Sequence, residues 1–121
     1  MKDDGQKMFD LMCWADTLVL VSPVYWGGFT SYMKKVIDRF YPFFGEEVRK
    51  KCTIKETALI AAAMAPDENA FDIIRKEFDH VNAVLGFEKK AELLAPGLGG
   101  PDDAGKDEAL LVKAALLGTN I

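Results

Sequence analysis

The segment D-T-L-V-L-V-S-P at residues 16–23 constrains the fold more than any other part of the chain. Leu18, Val19, Leu20 and Val21 form an unbroken apolar run with no polar alternation. A strand with one wet face alternates. An unbroken run marks a strand covered on both faces, as in a parallel sheet between layers of helices. Pro23 ends the run because it has no N–H to give to a ladder. Parallel neighbours need long crossovers, so helices must separate the strands.

The flanking sequence supplies those helices. Residues 4–15 gather Met8, Phe9, Leu11 and Met12 on one side of a helix, with Asp3 or Asp4 as its cap. Residues 30–44 do the same with Tyr32, Met33, Val36, Ile37, Phe40 and Phe44; Thr30 or Ser31 caps the start and Gly45 stops it. A second strand is expected at 56–64, although alanine is a weak strand former. Residues 68–85 carry the stripe Phe71, Ile74, Phe78, Val81 and Leu85, between Asp67 as N-cap and Gly86 as a left-handed end. A short strand at 89–94, a Gly/Pro-rich loop at 95–101 and a helix at 103–117 with Gly118 beyond it complete the pattern. The expected architecture is α/β: one domain over 1–121, with about three parallel strands flanked by about four helices.

Composition narrows the partners. Half the residues are hydrophobic, which excludes a disordered chain. Fifteen basic against nineteen acidic residues give a net charge of -4, so neither nucleic acid nor an anionic membrane is expected. The apolar runs are far shorter than the roughly 20 residues of a spanning helix, and the acidic start is no secretory signal. Cys13 and Cys52 form no CxxC pair, and His80 is not near either in sequence, so no metal site is expected. Two reduced thiols point to the cytoplasm.

The segment that carries chemistry is S-P-V-Y-W-G-G-F-T at residues 22–30. It leaves the carboxyl end of a parallel strand and enters a helix, which is where open α/β sheets bind ligands. Gly27 and Gly28 let backbone approach a ligand, while Tyr25 and Trp26 offer flat faces for a planar heterocycle. The same residues would also suit a turn that caps the core, or an aromatic protein interface.

Residues 15–40, A-D-T-L-V-L-V-S-P-V-Y-W-G-G-F-T-S-Y-M-K-K-V-I-D-R-F, resemble the middle of flavodoxin-like NAD(P)H-dependent FMN reductases. The multimeric flavodoxins and iron–sulfur flavoproteins resemble it most. The shared features are the A-D strand start, the S-P-x-Y end, the small-residue loop, and Met33-Lys34 with Asp38-Arg39 on the next helix. The resemblance implies a flavodoxin-like three-layer sandwich. It implies FMN as cofactor, with NAD(P)H as reductant and a small-molecule electron acceptor. Pro23, Val24, Tyr25, Trp26, Gly27 and Gly28 would form the flavin-ring loop. Backbone groups of Tyr25, Trp26 and Gly27 would meet the ring's polar edge, and no side chain would act as a catalytic acid or base.

Against the family pattern the sequence lacks the N-terminal strand, the phosphate loop and the second strand, and the expected fold is therefore truncated. Neither cysteine replaces the clustered cysteines of the iron–sulfur relatives. An alternative function stands beside the enzyme: a non-enzymatic module that oligomerises or complements a partner chain and no longer binds FMN. Strand 17–22 would lie at the sheet edge, and an uncharged apolar edge is a template for pairing. A homodimer or higher homo-oligomer through that strand is expected.

Other residues take simpler readings. Gly97, Gly99 and Gly100 lack the context of a phosphate loop. His80 lies off the apolar stripe, at the surface. Arg49-Lys50-Lys51 is a solvated run near a helix end. Lys34, Asp38 and Arg39 form helix-surface pairs. Pro66-Asp67-Glu68 reads as a helix cap, and the resemblance implies a second ring-side loop there.

Overall fold

The computed structural model describes residues 4–121. In chain order it contains α1 (Gly5–Trp14), β1 (Thr17–Pro23), α2 (Ser31–Asp38), α3 (Glu46–Lys51), β2 (Glu56–Ala62), α4 (Asp72–Leu85), β3 (Glu88–Ala95), α5 (Asp103–Lys106) and α6 (Glu108–Asn120). Single 3-10 turns at Tyr41–Phe44 and Glu68–Phe71 precede α3 and α4. The three strands form one parallel sheet in the order β1-β2-β3.

Register sorts the side chains into two faces. Leu18, Leu20 and Ser22 lie level with Thr57, Leu59 and Ala61. On this first face α1 to α4 pack into one core with Met12, Phe40, Phe43, Ile54, Ile74 and Phe78. Phe43, Phe71, Phe78, Ile54, Leu59 and Ile74 are fully buried there, each contributing about 1.5–3 kcal/mol by burial. Phe9 of α1 stacks on Phe43 with ring centroids 4.9 Å apart, tying α1 to the 3-10 turn. Val19, Val21 and Pro23 lie level with Ala58, Ile60 and Ala62 and so face the other way. Leu93, Ala95 and Leu117 are buried on that second face, under α6, and stand outside the main core. The helices therefore make three layers with the sheet.

Several expectations need correction. β1 is not covered on both faces: Leu20 and Ser22 are buried, but Val21 is 59% exposed. On the second face Val19 is half-buried and the carboxyl end of β1, at Val21, is open. The helix expected at 30–44 stops at Asp38, where Arg39 N–H and Phe40 N–H donate to carbonyls only three residues back. A tight turn containing Pro42 follows. Gly45 is no left-handed stop; with φ -74 it precedes α3, which turns the Arg49-Lys50-Lys51 run into the last turn of a helix. Asp67 and Asp4 stand at helix starts, but neither side chain accepts a capping bond. Asp3 lies outside the described residues. The last helix is two: Asp107 breaks it and caps α6 by accepting from Leu110 N–H at 3.0 Å, and Gly118 sits inside α6. Thr30 does cap α2, accepting from Met33 N–H at 3.2 Å, and Gly86 ends α4 with φ 70. β2 forms despite its alanines because it is the central strand; small side chains let α4 and the strands approach closely.

Candidate functional site

The loops that leave the carboxyl ends of β1, β2 and β3 converge. Val24 N–H donates to Ala62 carbonyl at 2.8 Å and extends the β1 pairing by one residue. The chain then folds back on itself at once. Tyr25 and Gly28 exchange two N–H to carbonyl bonds of 3.2 Å around Trp26 and Gly27. Trp26 has φ 53 and Gly27 φ 83, so both central residues are left-handed, as in a type I′ turn. Glycine is at ease there. A bulky aromatic is not, and holding it so costs about 1–3 kcal/mol. Trp26 is fully exposed, so burial does not repay that cost.

Tertiary contacts hold the turn in place. A Cβ on Gly27 would come 2.8 Å from Ile73 Cδ1, and one on Gly28 would come 3.0 Å from Glu77 Oε2. Gly27 is required by its left-handed backbone; the atoms nearest both glycines are the far ends of α4 side chains, which can shift. Gly27 carbonyl accepts from Ile74 N–H at 3.0 Å, and Phe29 N–H donates to Glu77 Oε2 at 3.0 Å. At the base, buried Ser22 donates its hydroxyl to Pro23 carbonyl at 2.8 Å and accepts from Thr30 N–H at 3.5 Å.

This clamp settles which backbone groups are left for a ligand. Tyr25 N–H and carbonyl are spent on Gly28, and Gly27 carbonyl on Ile74. Among the described residues no hydrogen bond engages Trp26 N–H or Gly27 N–H. Of the three residues whose backbone the sequence nominated, two thus retain a donor. Tyr25 and Trp26 are both exposed beside them. Val24 packs its side chain against the core, and Pro23 closes β1. The six residues 23–28 are brought together as one turn.

The other two loops lie close by. Ala63 carbonyl accepts from Leu98 N–H and Ala65 carbonyl from Gly97 N–H, both at 2.9 Å, which ties the β2 loop to the β3 loop. Exposed Met64 stands at this junction, 3.8 Å from where a Cβ on Gly99 would be. Sequence reasoning passed over Met64; its only signal was its place just after a strand. Gly99 N–H and Gly100 N–H both donate to Asp103 Oδ2, at 3.0 and 2.8 Å. The protein's own carboxylate occupies the donors that an anion would need.

Polar groups elsewhere are structural. Lys34 pairs with Asp38 along α2. Arg49 donates to Leu85 carbonyl at 2.9 Å and lies over the Phe87 ring. His80 is exposed and lines a cleft of about 330 Å³ between α2, the first 3-10 turn and α4. Cys13 and Cys52 are free thiols, and burial, then the neighbouring Cys52 and Asp10, push the Cys13 thiol up. Among the described residues no three His, Cys, Asp or Glu side chains converge. No helix there is long and apolar enough to cross a membrane.

Comparison with known proteins agrees with the geometry. Residues 1–86 match the model of the family described as NADPH-dependent FMN reductase. No curated protein matches. Among solved structures, the Trp repressor binding protein of Bacillus subtilis is similar, with 21% identity and a TM-score of 0.80 over 93% of this chain and 74% of that one. An NAD(P)H:quinone oxidoreductase from Methanothermobacter marburgensis shares 19% identity, with a TM-score of 0.77 over 99% of this chain and 63% of that one. General stress protein 14 of Treponema denticola, solved in complex with FMN, shares 16% identity, with a TM-score of 0.70 over 99% of this chain and 75% of that one.

Proposed function

The chain belongs to the NADPH-dependent FMN reductase family, and from that premise we propose that it is a flavodoxin-like, NAD(P)H-dependent FMN oxidoreductase whose flavin ring lies against residues 23–28. One observation carries the placement. At the carboxyl end of β1 a strained turn holds out Trp26 beside two unengaged N–H donors. Strain without burial is retained where a site over-determines it.

The residues fit the ring of such a cofactor. FMN, when bound, supplies the redox chemistry, taking a hydride from the nicotinamide and passing electrons to a small-molecule acceptor. Trp26 N–H and Gly27 N–H would hold the polar edge of the ring, and the exposed side chains of Tyr25 and Trp26 would offer it apolar faces. The anchors from Gly27 to Ile74 and from Phe29 to Glu77 hold the donors still, so little ordering remains to be done on binding. The Gly99–Gly100 donors stay with Asp103 and take no part. Family membership favours this enzyme over the non-enzymatic module that the sequence left open.

The same reading places the protein in the cytoplasm, in keeping with its free thiols. It takes the protein to be a homodimer or higher homo-oligomer through strand 17–22, at the edge of the sheet. The test is NAD(P)H oxidation with added FMN and a quinone acceptor. Flavin-dependent oxidation that falls at least tenfold in Trp26→Ala supports the assignment. Oxidation no faster than with free FMN alone contradicts it.

A further inference from the structure

The amino-terminal end of the sheet, opposite the turn at residues 23–28, holds two thiols that the proposed function does not use. α1 ends at Trp14, and the last carbonyls of a helix find no partner within it. The chain that leads into β2 supplies those partners. Cys52, at the end of α3, directs its Sγ to the Met12 carbonyl at 4.0 Å. Thr53 Oγ1 lies 3.0 Å from the Cys13 carbonyl and 2.7 Å from the Ala15 carbonyl, and its hydroxyl donates to them. Lys55 N–H then donates to the Asp16 carbonyl at 3.0 Å, just before β1 and β2 begin to pair.

These contacts bring Cys13 and Cys52 together. The Met12 and Cys13 carbonyls flank the Cys13 α-carbon, and both are met by the Cys52–Thr53 segment. Cys13 stands one helical turn after Phe9, on the side of α1 that stacks on Phe43 and faces the chain leading into α3. Its side chain packs on the core cluster that contains Cys52. Burial raises the Cys13 thiol first and Cys52 raises it second, so the charge of one sulfur hinders ionisation of the other. The two differ in access: Cys13 is half-buried and Cys52 is buried. A pair with one reachable thiol and one sheltered neighbour suits an entry thiol and a resolving thiol.

We propose that Cys13 and Cys52 form a reversible dithiol–disulfide site, oxidised by a low-molecular-weight disulfide and linking the end of α1 to the end of α3. The Cys13 thiolate attacks one sulfur of that disulfide, forms a mixed disulfide and releases the first small thiol. Cys52 then attacks the Cys13 sulfur and releases the second. The protein loses two protons and two electrons, and the small disulfide is reduced to two thiols. In a reducing compartment such a link is transient and redox-sensing. It closes the long loop from 13 to 52 and so favours the folded chain. The site lies a strand's length from the turn at 23–28, and it does not rest on the flavin assignment.

The test exposes the purified chain to oxidised glutathione, quenches with an alkylating agent and digests with trypsin. Wild type should lose two hydrogens, take up no alkyl group, and yield fragment 8–34 joined to fragment 52–55. Dithiothreitol should restore both thiols. The joined form should unfold at higher denaturant than the reduced form. Cys52→Ala should stop at glutathione held on Cys13. In Cys13→Ser, glutathione should reach Cys52 at least tenfold more slowly than it reaches Cys13 in Cys52→Ala. A native far-UV spectrum checks that both variants fold. Two thiols still free in oxidised wild type, glutathione that persists on its Cys13, or a link found only between chains would overturn the proposal. Equal rates in the two variants would overturn the assigned order of attack.

Discussion

The two faces of one three-stranded sheet are made from the same strands and reach different ends. On the first, Leu20, Leu59 and Ala61 are buried under α1, α2 and α4. On the second, one residue further along β1, Val21 meets solvent. Adjacent residues of equal apolarity therefore differ wholly in surroundings. An apolar run says what gains from burial. It does not say that something is present to bury it.

The largest expected effect tests the closed face. Phe78→Ala, at the centre of the core, should cost about 3–5 kcal/mol in denaturant unfolding. Leu20→Ala and Val21→Ala then make the comparison within one strand. At a dilution where protomers are separate, the first should cost about 2–5 kcal/mol and the second less than about 0.5 kcal/mol. Equal costs would break the distinction between the faces.

The third test moves to the turn. Trp26→Gly relieves a left-handed aromatic and should stabilise the fold by about 1 kcal/mol while weakening flavin binding. A stability loss would mean that the turn is not strained.

Another small effect lies on β3. Lys89 pairs with Glu92 at 2.9 Å and Asp79 at 3.1 Å. Partial burial works to lower its pKa, but the hydrogen bonds and charges of Glu92 and Asp79 outweigh that and hold it above the usual lysine range. A raised pKa gives stability that is complete below the ordinary lysine value and is lost as pH rises through the folded value. Lys89→Met should therefore cost about 0.5 kcal/mol at neutral pH, and the gap to wild type should close in strong alkali.

Much of this was legible in the chain. The run 18–21 announced a parallel strand, the stripe from Phe71 to Leu85 a helix, and S-P-V-Y-W-G-G a loop at the sheet's carboxyl edge. What stayed hidden was tertiary. That the turn lies against Ile73 and Glu77, some fifty positions away, follows only from the packing of α4 on it. That Tyr25 keeps no backbone group free follows from its pairing with Gly28. The break at Asp38 was masked because Phe40 and Phe44 keep helical spacing, whereas in the 3-10 turn that follows it is Phe43 that is buried and Phe44 that is exposed. The open second face could not be read from β1 alone, since its pattern is that of a strand buried on both sides.

The central claim is that the turn at residues 23–28 holds the flavin ring. Titration of the purified chain with FMN, followed by flavin fluorescence and absorbance, tests it most directly when run beside Trp26→Gly. The account predicts saturable binding in the micromolar range or tighter, about -8 kcal/mol, and at least tenfold weaker binding in the more stable variant. Equal binding by both proteins, or none by wild type, would contradict it.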